Sequence, residues 1–258
     1  YPKLIYDGPF SEHIEQQKPN LKGKNITSQQ AQRIAASFLE DQKYRAKEIG
    51  EIQNNSIPGY LIALSPAQDQ EGNYSEISVA VSKTGGKIIW LLNNREIGKA
   101  KISEEEGIEI AKKFLEKKGY PNMLPTYFEK NDGQLLVNFA YQENGVIVYT
   151  DLIKVKVGLD KGDIIGFESA GYLHNHRMRN IGPPEISEEE ARKRIHVFAE
   201  PSKPRLAIIP TEGGKEVLCY EFKVQFGQDT FLIYIDANNG EEQKILQLLI
   251  QDGGVLVI

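Results

Sequence analysis

The sequence has a single cysteine, no surplus of basic residues and no long hydrophobic run. Cys219 leaves no partner for an internal disulfide and no cysteine cluster for zinc. The 31 Lys and Arg residues are outnumbered by 36 Asp and Glu residues, and the net charge of −5 offers no basic stripe for nucleic acid. No apolar run approaches the roughly 20 residues that a membrane-crossing helix needs. These absences exclude disulfide scaffolds, zinc fingers and nucleic-acid-binding proteins.

The length and composition are those of a globular protein with more than one domain. A chain of 258 residues is long for one domain and suits two or three of roughly 80–130 residues each. A hydrophobic content of 40% with 26% charged residues is ordinary for such a protein. No signal-peptide pattern is present. Because the chain begins with Tyr1 rather than Met, we expect a processed or trimmed product.

Three segments of the chain share one pattern without a gap, each running from an Ile followed by Thr or Ser to a Phe at the same distance. They read ITSQQAQRIAASF from Ile26, ISEEEGIEIAKKF from Ile102 and ISEEEARKRIHVF from Ile186. Self-similarity at an interval of roughly 80 residues indicates an array of copies of one supersecondary unit. An array spreads its surface over several modules, which suits a binding or regulatory protein better than a single catalytic cleft.

Each repeat is predicted to begin an amphipathic helix. Thr or Ser stands at the N-cap and Gln or Glu follows three residues later, as a capping box requires. These pairs are Thr27 and Gln30, Ser103 and Glu106, and Ser187 and Glu190. Apolar or small residues then recur with helical spacing, and Arg194 is the exception in the third copy. We expect the helices to reach the last residue of each repeat, namely Phe38, Phe114 and Phe198.

The glutamate runs Glu104–Glu106 and Glu188–Glu190 allow two interpretations. Clustered carboxylates could form a metal site or a sugar-hydrolysing site. In the first turn of a helix, however, the helix dipole stabilises each carboxylate by about 0.3–1 kcal/mol. The first repeat has Ser28-Gln29-Gln30 at the same place, which suits exposed positions. We therefore assign the glutamates to helix ends and predict no catalytic residue there.

After each helix the hydrophobic period changes to two, which is typical of strands separated by short turns. The predicted strands are Arg45–Ile52, Tyr60–Ser65, Tyr74–Ser82 and Lys87–Leu92 after the first helix; Leu124–Lys130, Gln134–Gln142, Gly145–Val157 and Asp163–Ala170 after the second; and Arg205–Pro210, Glu216–Phe226, Thr230–Asp236 and Glu242–Leu249 after the third. The sequence therefore predicts an α+β fold of three tandem modules, each a helix packed on an antiparallel meander of about four strands.

Polar stretches mark the predicted module boundaries. We expect a lead-in segment over 1–25 and modules over 26–98, 99–180 and 181–258. The seams between modules, Asn93–Lys101 and His174–Glu185, are too short for free linkers. We therefore expect the modules to dock on one another and to share their stability.

The end of each meander carries a hairpin of the form hydrophobic-D-x-x-x-G or a looser version of it. It reads YIDANNG from Tyr234, VGLDKG from Val157 and, more loosely, VSKTGG from Val81. A short helix, a meander and this hairpin together resemble the PepSY domain. Three such copies, preceded by YPKLIYDGPFSEH from Tyr1, resemble the C-terminal part of the YpeB family of spore germination proteins. The resemblance extends over essentially the whole chain.

The resemblance implies a protein that is not an enzyme and needs no cofactor. In that family the partner is SleB, the cortex-lytic enzyme that cuts the peptidoglycan of the spore cortex, and the two proteins depend on each other to persist in the dormant spore. Cortex peptidoglycan is a second expected partner. The resemblance also implies an extracytoplasmic location between the inner membrane and the cortex. Membrane contact would come only through an N-terminal segment of the family that this sequence does not contain.

The most suggestive local cluster is His174-Asn175-His176-Arg177. A His-x-His pair can ligate a metal, but zinc needs a third and a fourth ligand, and only two glutamates are near in the sequence. A similar stretch at the end of the first module, Leu92-Asn93-Asn94-Arg95, has no histidine, which favours a structural seam. We therefore predict no metal site. The seam residues that we expect to be candidates for partner binding are His174, His176 and Arg177.

Three classes of function remain open from the sequence. The first is a scaffold that binds, stabilises and restrains a peptidoglycan-cutting enzyme, and it predicts a broad preformed surface. The second is a carbohydrate-binding scaffold, which predicts a shallow groove lined with exposed aromatic residues. The third is a hydrolase, which predicts a deep pocket with convergent carboxylates. Cys219 lies in an apolar run without a flanking His, so we predict a packing role for it.

Overall fold

The structure is a computed structural model that describes residues 10, 18–39, 43–53, 56–67, 76–195, 201–211, 214–251 and 254–257. Its helices in these ranges are Ser28–Phe38 (α1), Glu104–Lys117 (α2), Ala170–Asn175 (α3) and Glu188–Arg192 (α4). Its strands are Tyr44–Ile52 (β1), Gly59–Pro66 (β2), Ile77–Ser82 (β3), Ile88–Asn93 (β4), Met123–Asn131 (β5), Gln134–Glu143 (β6), Val146–Gly158 (β7), Asp163–Glu168 (β8), Arg205–Pro210 (β9), Glu216–Phe226 (β10), Asp229–Asp236 (β11), Glu242–Gln251 (β12) and Gly254–Val257 (β13). Within those ranges, every helix is too short or too polar to cross a membrane.

The first two modules share one continuous sheet. Strands β1 to β4 form one antiparallel meander and β5 to β8 form a second, and the two join through their last strands, β4 and β8. The register pairs Trp90 with Glu168 and Leu92 with Gly166. Docking between these modules therefore takes the form of backbone hydrogen bonding, which covers the edge that each meander would otherwise expose.

The third meander joins the second at two places. Strand β9 pairs in parallel with the first residues of β7, and β13 pairs antiparallel with β5. On the edge that faces away from β6, strand β7 has two neighbours, because its residues from Lys154 onward pair with β8 instead of β9. The register of β6 with β7 shifts between these two parts, opposite Ala140 and Tyr141. The strand pairings of the second and third modules therefore close into a ring, in the order β5, β6, β7, β9, β10, β11, β12, β13.

The ends of the first two repeats meet in one hydrophobic core. Phe38 and Phe114 contact edge to face with ring centroids 5.4 Å apart, and both rings contact Phe167 on β8. The same core cluster contains Ala35 of α1 and Leu115 of α2. Since two helices bury their apolar faces against one sheet, a large aromatic residue at the end of each repeat fills the space between them.

The Ile that begins each repeat is held by the final hairpin of its own module. Its amide N–H donates to a hairpin carbonyl at 2.8–3.0 Å, in the pairs Ile26 to Lys83, Ile102 to Leu159 and Ile186 to Ala237. The turn glycines Gly162 and Gly240 both have φ of +75°, which confirms the conformation that the hairpin pattern predicts. A Cβ on Gly162 would also stand 2.8 Å from Cδ1 of Ile102. The repeated Ile and the turn glycine therefore pack as one unit.

The predicted α+β fold is confirmed, and strands β1 to β12 overlap the twelve predicted strands. The predicted strand Tyr74–Ser82 begins too early, since β3 begins at Ile77, and its first two residues lie outside the described residues. The predicted strand Asp163–Ala170 is two residues too long, because Ala170 begins helix α3, which was not predicted. Strand β13 was not predicted either. Helix α4 ends at Arg192, while the expected helix end, Phe198, lies outside the described residues. The module boundaries at 98 and 180 stay predictions.

Candidate functional site

A cleft of about 700 Å³ lies where helices α1, α2 and α3 converge, between the first two modules. The C-terminal parts of α1 and α2 contribute Phe38 and Lys118, the turn before β4 contributes Lys87, and the segment before α1 contributes Lys22. The pairing of β4 with β8 brings these elements together, since it places the two helices side by side on one sheet. The cleft is therefore a product of how the modules join, and neither module would form it alone.

The end of α2 gives the cleft an aromatic wall. Gly119, with φ of +82°, ends the helix, and the N–H of Tyr120 donates to the carbonyl of Leu115 at 2.9 Å. This turn places the Tyr120 ring 5.3 Å from the ring of Tyr172 on α3. Burial raises the pKa of both phenols, so both tyrosines stay neutral at any ordinary pH. The wall presents mainly the half-buried Tyr172 to the cleft, because Tyr120 is 9% exposed and the ring of His176 stacks on one face of Tyr172.

The charged residues that line the cleft are all basic. They are Lys22, Lys87, Lys118 and Arg177, and no Asp or Glu is found among the described residues of the lining. The ammonium of Lys118 stands 5.3 Å from the ring centre of Phe38 and 5.8 Å from that of Phe114, within cation–π range. In a chain with a net charge of −5, a concave surface of this sign favours a partner segment that is acidic and partly aromatic or apolar.

The seam residues predicted from the sequence separate into two groups. His176 and Arg177 line the cleft, together with Met178, whose side chain is 94% exposed. His174 instead is buried, and its Nε2 lies 3.0 Å from the hydroxyl of Ser56 in the first module. The structure thus brings two of the three predicted candidates to the cleft and uses the third to hold α3 against the first module.

His176 is held in place from three sides. Its ring stacks on Tyr172 at a centroid distance of 4.1 Å and meets Tyr141 edge to face at 4.7 Å. Its Nδ1 lies 2.8 Å from Oδ2 of the buried Asp151. The cleft wall is therefore rigid at this point, which lowers the entropy that a partner must overcome on binding.

A buried ionic network next to His176 joins the second module to the third. The guanidinium of Arg179 donates to Asp151 on β7 and to Glu216 on β10, each at 2.7 Å. Burial alone would raise the pKa of Glu216, but hydrogen bonds from Arg179 and Thr150 and the charge of Arg179 hold that pKa below its ordinary value. The sequence reasoning missed this network. The signal for it was Asp151, an acidic residue in the middle of a mainly apolar strand whose other charged residues are two lysines.

The seam between the first and second modules is also held by an arginine that forms ion pairs with two carboxylates. Arg95 donates to Asp160 at 2.6 Å and to Asp163 at 2.5 Å, both in the hairpin between β7 and β8. The N–H of Gly98 also donates to Asp160 at 2.9 Å. The hydrogen bonds from Arg95 hold the pKa of Asp160 well below its usual range. The aspartate of the repeated hairpin motif thus fixes the connection that precedes its own module.

The residues considered for catalysis have structural contacts instead. All three capping boxes form, so Glu106 and Glu190 accept hydrogen bonds at helix N-termini as predicted. Cys219 is buried in a core cluster, and burial raises the pKa of its thiol to about 12. In the part of the chain that the structure describes, no group of three or more His, Cys, Asp or Glu side chains is placed to hold a metal.

Repeated helix-and-meander modules, joined through sheet edges and carrying a cleft at a module junction, define a tandem-domain protein of the PepSY class. The family described as "YpeB sporulation, PepSY1 and PepSY2 domains" matches residues 1–182, and "Peptidase propeptide and YPEB domain" matches residues 185–246. The chain belongs to the YpeB sporulation family. Its descriptions name a sporulation protein and a peptidase propeptide domain, rather than an enzyme.

Several relatives are similar over most of the chain. A sporulation protein YpeB of Halalkalibacterium halodurans is 34% identical over 91% of this chain and 52% of the relative. That of Bacillus subtilis is 35% identical over 89% of this chain and 50% of the relative. The chain therefore spans about half the length of the curated relatives that it matches. The solved C-terminal domain of Bacillus megaterium YpeB is 30% identical, with a TM-score of 0.77 over 88% of this chain and all of that domain.

Proposed function

We propose that the chain is a non-enzymatic spore germination protein that binds and stabilises the cortex-lytic enzyme SleB and restrains it, between the inner membrane and the cortex. Membership of the family supports a role in sporulation and germination, because the curated relatives are named sporulation proteins. The description of the third module as a peptidase propeptide domain supports the binding of a hydrolase. The observation that carries the proposal is the basic, aromatic cleft at the first module junction.

The rigidity of the modules supports a docking role. Two partly buried arginines hold the seams: Arg95 pairs with aspartates of the second module, and Arg179 joins Asp151 to Glu216. Strand β4 also pairs with β8. A preformed surface pays little ordering entropy on association, so more of the contact energy appears as affinity. A stable interface needs roughly 800 Å² on each partner, which is more than the cleft alone supplies. We therefore place the cleft at the centre of an interface that extends over the neighbouring module surfaces.

Binding also gives a physical route to persistence of the enzyme without catalysis. A partner that binds only the folded enzyme lowers its unfolded, protease-sensitive population by mass action. At a partner concentration of about 100 times Kd, the gain in stability is about 2.7 kcal/mol. This would slow proteolysis through global unfolding about a hundredfold.

The proposal is tested by mixing the purified chain with purified SleB. We expect calorimetry to show binding that weakens when the salt concentration rises, since the cleft is basic. The variant carrying Lys22→Glu and Lys87→Glu should bind at least ~10-fold more weakly. Lys113→Glu is the matched control, because Lys113 is exposed on α2 outside the cleft. Equal loss in the control, or no binding by the unchanged chain at tens of micromolar, contradicts the proposal.

A carbohydrate-binding role is the second candidate, and the aromatic wall of Tyr120 and Tyr172 favours it. Peptidoglycan carries carboxylates on its peptides, which would suit the basic lining of the cleft. Co-sedimentation with purified cortex peptidoglycan separates the two roles. If the chain sediments and Tyr172→Ala abolishes sedimentation, while SleB binding is absent, the glycan role replaces the first proposal.

A further inference from the structure

A second cavity, of about 340 Å³, lies against the core cluster that the second and third modules share. Tyr127 of β5, Leu232 of β11 and Leu248 of β12 belong both to that cluster and to the cavity lining. The rest of the lining is polar, and it comes from Thr126 on β5, from the segment before β9 and the start of that strand, and from β10. The cavity is therefore apolar on one side and charged on the other, as small-molecule sites usually are.

Strand alternation places four charged residues together in this lining. Residues two apart on a strand share a face, so Lys203 stands beside Arg205, and Glu221 stands beside Lys223. The register of β9 and β10 sets Arg205 opposite Glu221. The hydrogen bond from the N–H of Ser202 to the carbonyl of Lys223, at 2.9 Å, extends the same pairing beyond the strand end. The backbone itself thus gathers three cations and one carboxylate.

The carboxylate is already satisfied within the protein. Glu221 is 3% exposed and accepts hydrogen bonds from the hydroxyls of Tyr149 at 2.6 Å and Tyr234 at 2.9 Å. The guanidinium of Arg205 donates to the other oxygen of Glu221 through Nε and a second nitrogen. Among the described residues, Lys203 and Lys223 have no ion-pair partner. The cavity consequently keeps a net positive charge that no group among the described residues neutralises.

Tyr127 forms the inner side of the cavity. Its side chain is 6% exposed, and its hydroxyl lies in the interior beside the hydroxyls of Tyr149 and Tyr234, which donate to Glu221 and keep lone pairs that can accept from it. Burial raises the pKa of the Tyr127 phenol, so this side of the cavity carries no charge. The exposed lysines on the outer side, Lys203 and Lys223, are therefore the groups that can reach an anion.

We infer that this cavity binds a small organic anion with a carboxylate or phosphate group. The anionic group pairs with Lys203, Lys223 and the exposed edge of Arg205. The apolar body of the ligand rests on Leu232 and Leu248. The volume suits a compact molecule, because it lies at the lower end of the range for small-molecule pockets.

The test measures the melting temperature and the binding heat of the whole chain with succinate and with inorganic phosphate, at constant ionic strength. We expect a saturable rise in Tm with at least one of the two anions, and the pair of probes separates a carboxylate ligand from a phosphate ligand. The variant Lys203→Gln with Lys223→Gln should weaken that binding ~10-fold or more. Lys215→Gln, an exposed lysine outside the cavity, is the matched control and should change nothing.

The Tm without anion separates a ligand-binding role of the two lysines from a structural one. Both side chains are exposed, so the double lysine variant should keep the wild-type Tm when no anion is present. A lower Tm of the double variant without anion, no saturable rise in Tm of the wild type with either anion, or a rise that the double variant leaves unchanged overturns the inference.

Discussion

At both module seams, an arginine side chain forms ion pairs with buried carboxylates. Arg179 joins Asp151 to Glu216 across the second seam, and Arg95 joins two aspartates of one hairpin at the first. A guanidinium can serve two carboxylates at once because its donors form a planar fork, which an ammonium group lacks. A carboxylate left alone at such a place would keep the full cost of its burial. The seams thus combine a specific arginine–carboxylate pairing with the apolar core clusters that the modules share.

The pH dependence of stability should report the second seam. Because the pKa of Glu216 in the folded chain lies below the ordinary 4.5 of a glutamate, its charged form is favoured by folding. Its contribution is therefore complete above the ordinary pKa and is lost as the pH falls through the folded-state pKa. We expect Glu216→Gln to lower the free energy of unfolding by about 1–3 kcal/mol at neutral pH, with the difference shrinking below about pH 4.5.

Urea unfolding of both proteins at a series of pH values measures this difference. Glu242→Gln is the control for the substitution itself, since Glu242 is exposed on β12, and it should change stability at neutral pH by under about 0.5 kcal/mol. A difference between wild type and Glu216→Gln that stays constant down to acidic pH would show that the charge of Glu216 does not stabilise the seam.

The turn glycines should be intolerant of side chains for two reasons. Gly162 has φ of +75°, a backbone conformation that β-branched residues rarely adopt, and an added Cβ would stand 2.8 Å from Cδ1 of Ile102. We expect Gly162→Val and Gly240→Val each to destabilise the chain by about 1–3 kcal/mol in urea unfolding. Gly182→Val is the matched control, because Gly182 has an ordinary φ and no atom within 4 Å of an added Cβ. If the hairpin variants unfold with the wild type, the turns do not constrain the fold.

At the scale of elements, the three repeats are explained by one local construction. An N-cap begins the helix, an Ile before it is bonded to the hairpin of the same module, and the apolar helix face packs on the meander. Helix α4 of the third repeat is the shortest of the three repeat helices, and Arg194, at the repeat position of Ile34 and Ile110, lies after its last residue, Arg192. An apolar residue that continues the helix face in the first two copies is therefore absent from the third.

The capping assignment predicts that the glutamates at helix starts have no catalytic role. Ser103→Ala should lower stability by about 1 kcal/mol, because the N–H of Glu106 loses its acceptor. Glu105→Gln with Glu189→Gln should leave SleB binding unchanged, and we expect the chain to release no muropeptides from cortex. Both glutamates are exposed first-turn residues. Sustained hydrolysis by a preparation free of contaminating hydrolases, abolished by the double variant, would contradict the assignment.

The local elements were predictable from the sequence because capping, periodicity and turn chemistry are short-range. The pairing of β4 with β8, and of β9 with β7, was not, since backbone hydrogen bonds between distant strands leave no periodic trace. Helix α3 was missed because it is one short turn after Ser169, whose buried hydroxyl bonds to the carbonyl of Ile88. The cleft was only partly predictable: His176 and Arg177 were singled out, but the lysines of its lining come from distant segments.

At the scale of the molecule, the sheet makes the modules dependent on one another. In the described residues all thirteen strands belong to one sheet, and the second and third modules close into a ring. A core cluster under α1 and α2 belongs to two modules at once, and so does the one that contains Tyr127 and Tyr234. Unfolding one module would expose apolar surface and strand edges on its neighbour, so separate unfolding is costly.

The chain should therefore unfold as one cooperative unit, and its single tryptophan makes this measurable. Trp90 lies in the first module, so its fluorescence reports that module, whereas far-UV circular dichroism reports all three. Phe222→Ala removes a fully buried ring from the third module and should cost about 3–5 kcal/mol. We expect the urea midpoint of Trp90 fluorescence to fall by as much as that of circular dichroism, because coincident transitions are the mark of two-state unfolding. The contrary result is a Trp90 midpoint that stays at its wild-type value while circular dichroism shows an additional, earlier transition. It would mean that the third module unfolds by itself and that its surfaces are not held in a fixed position relative to the cleft.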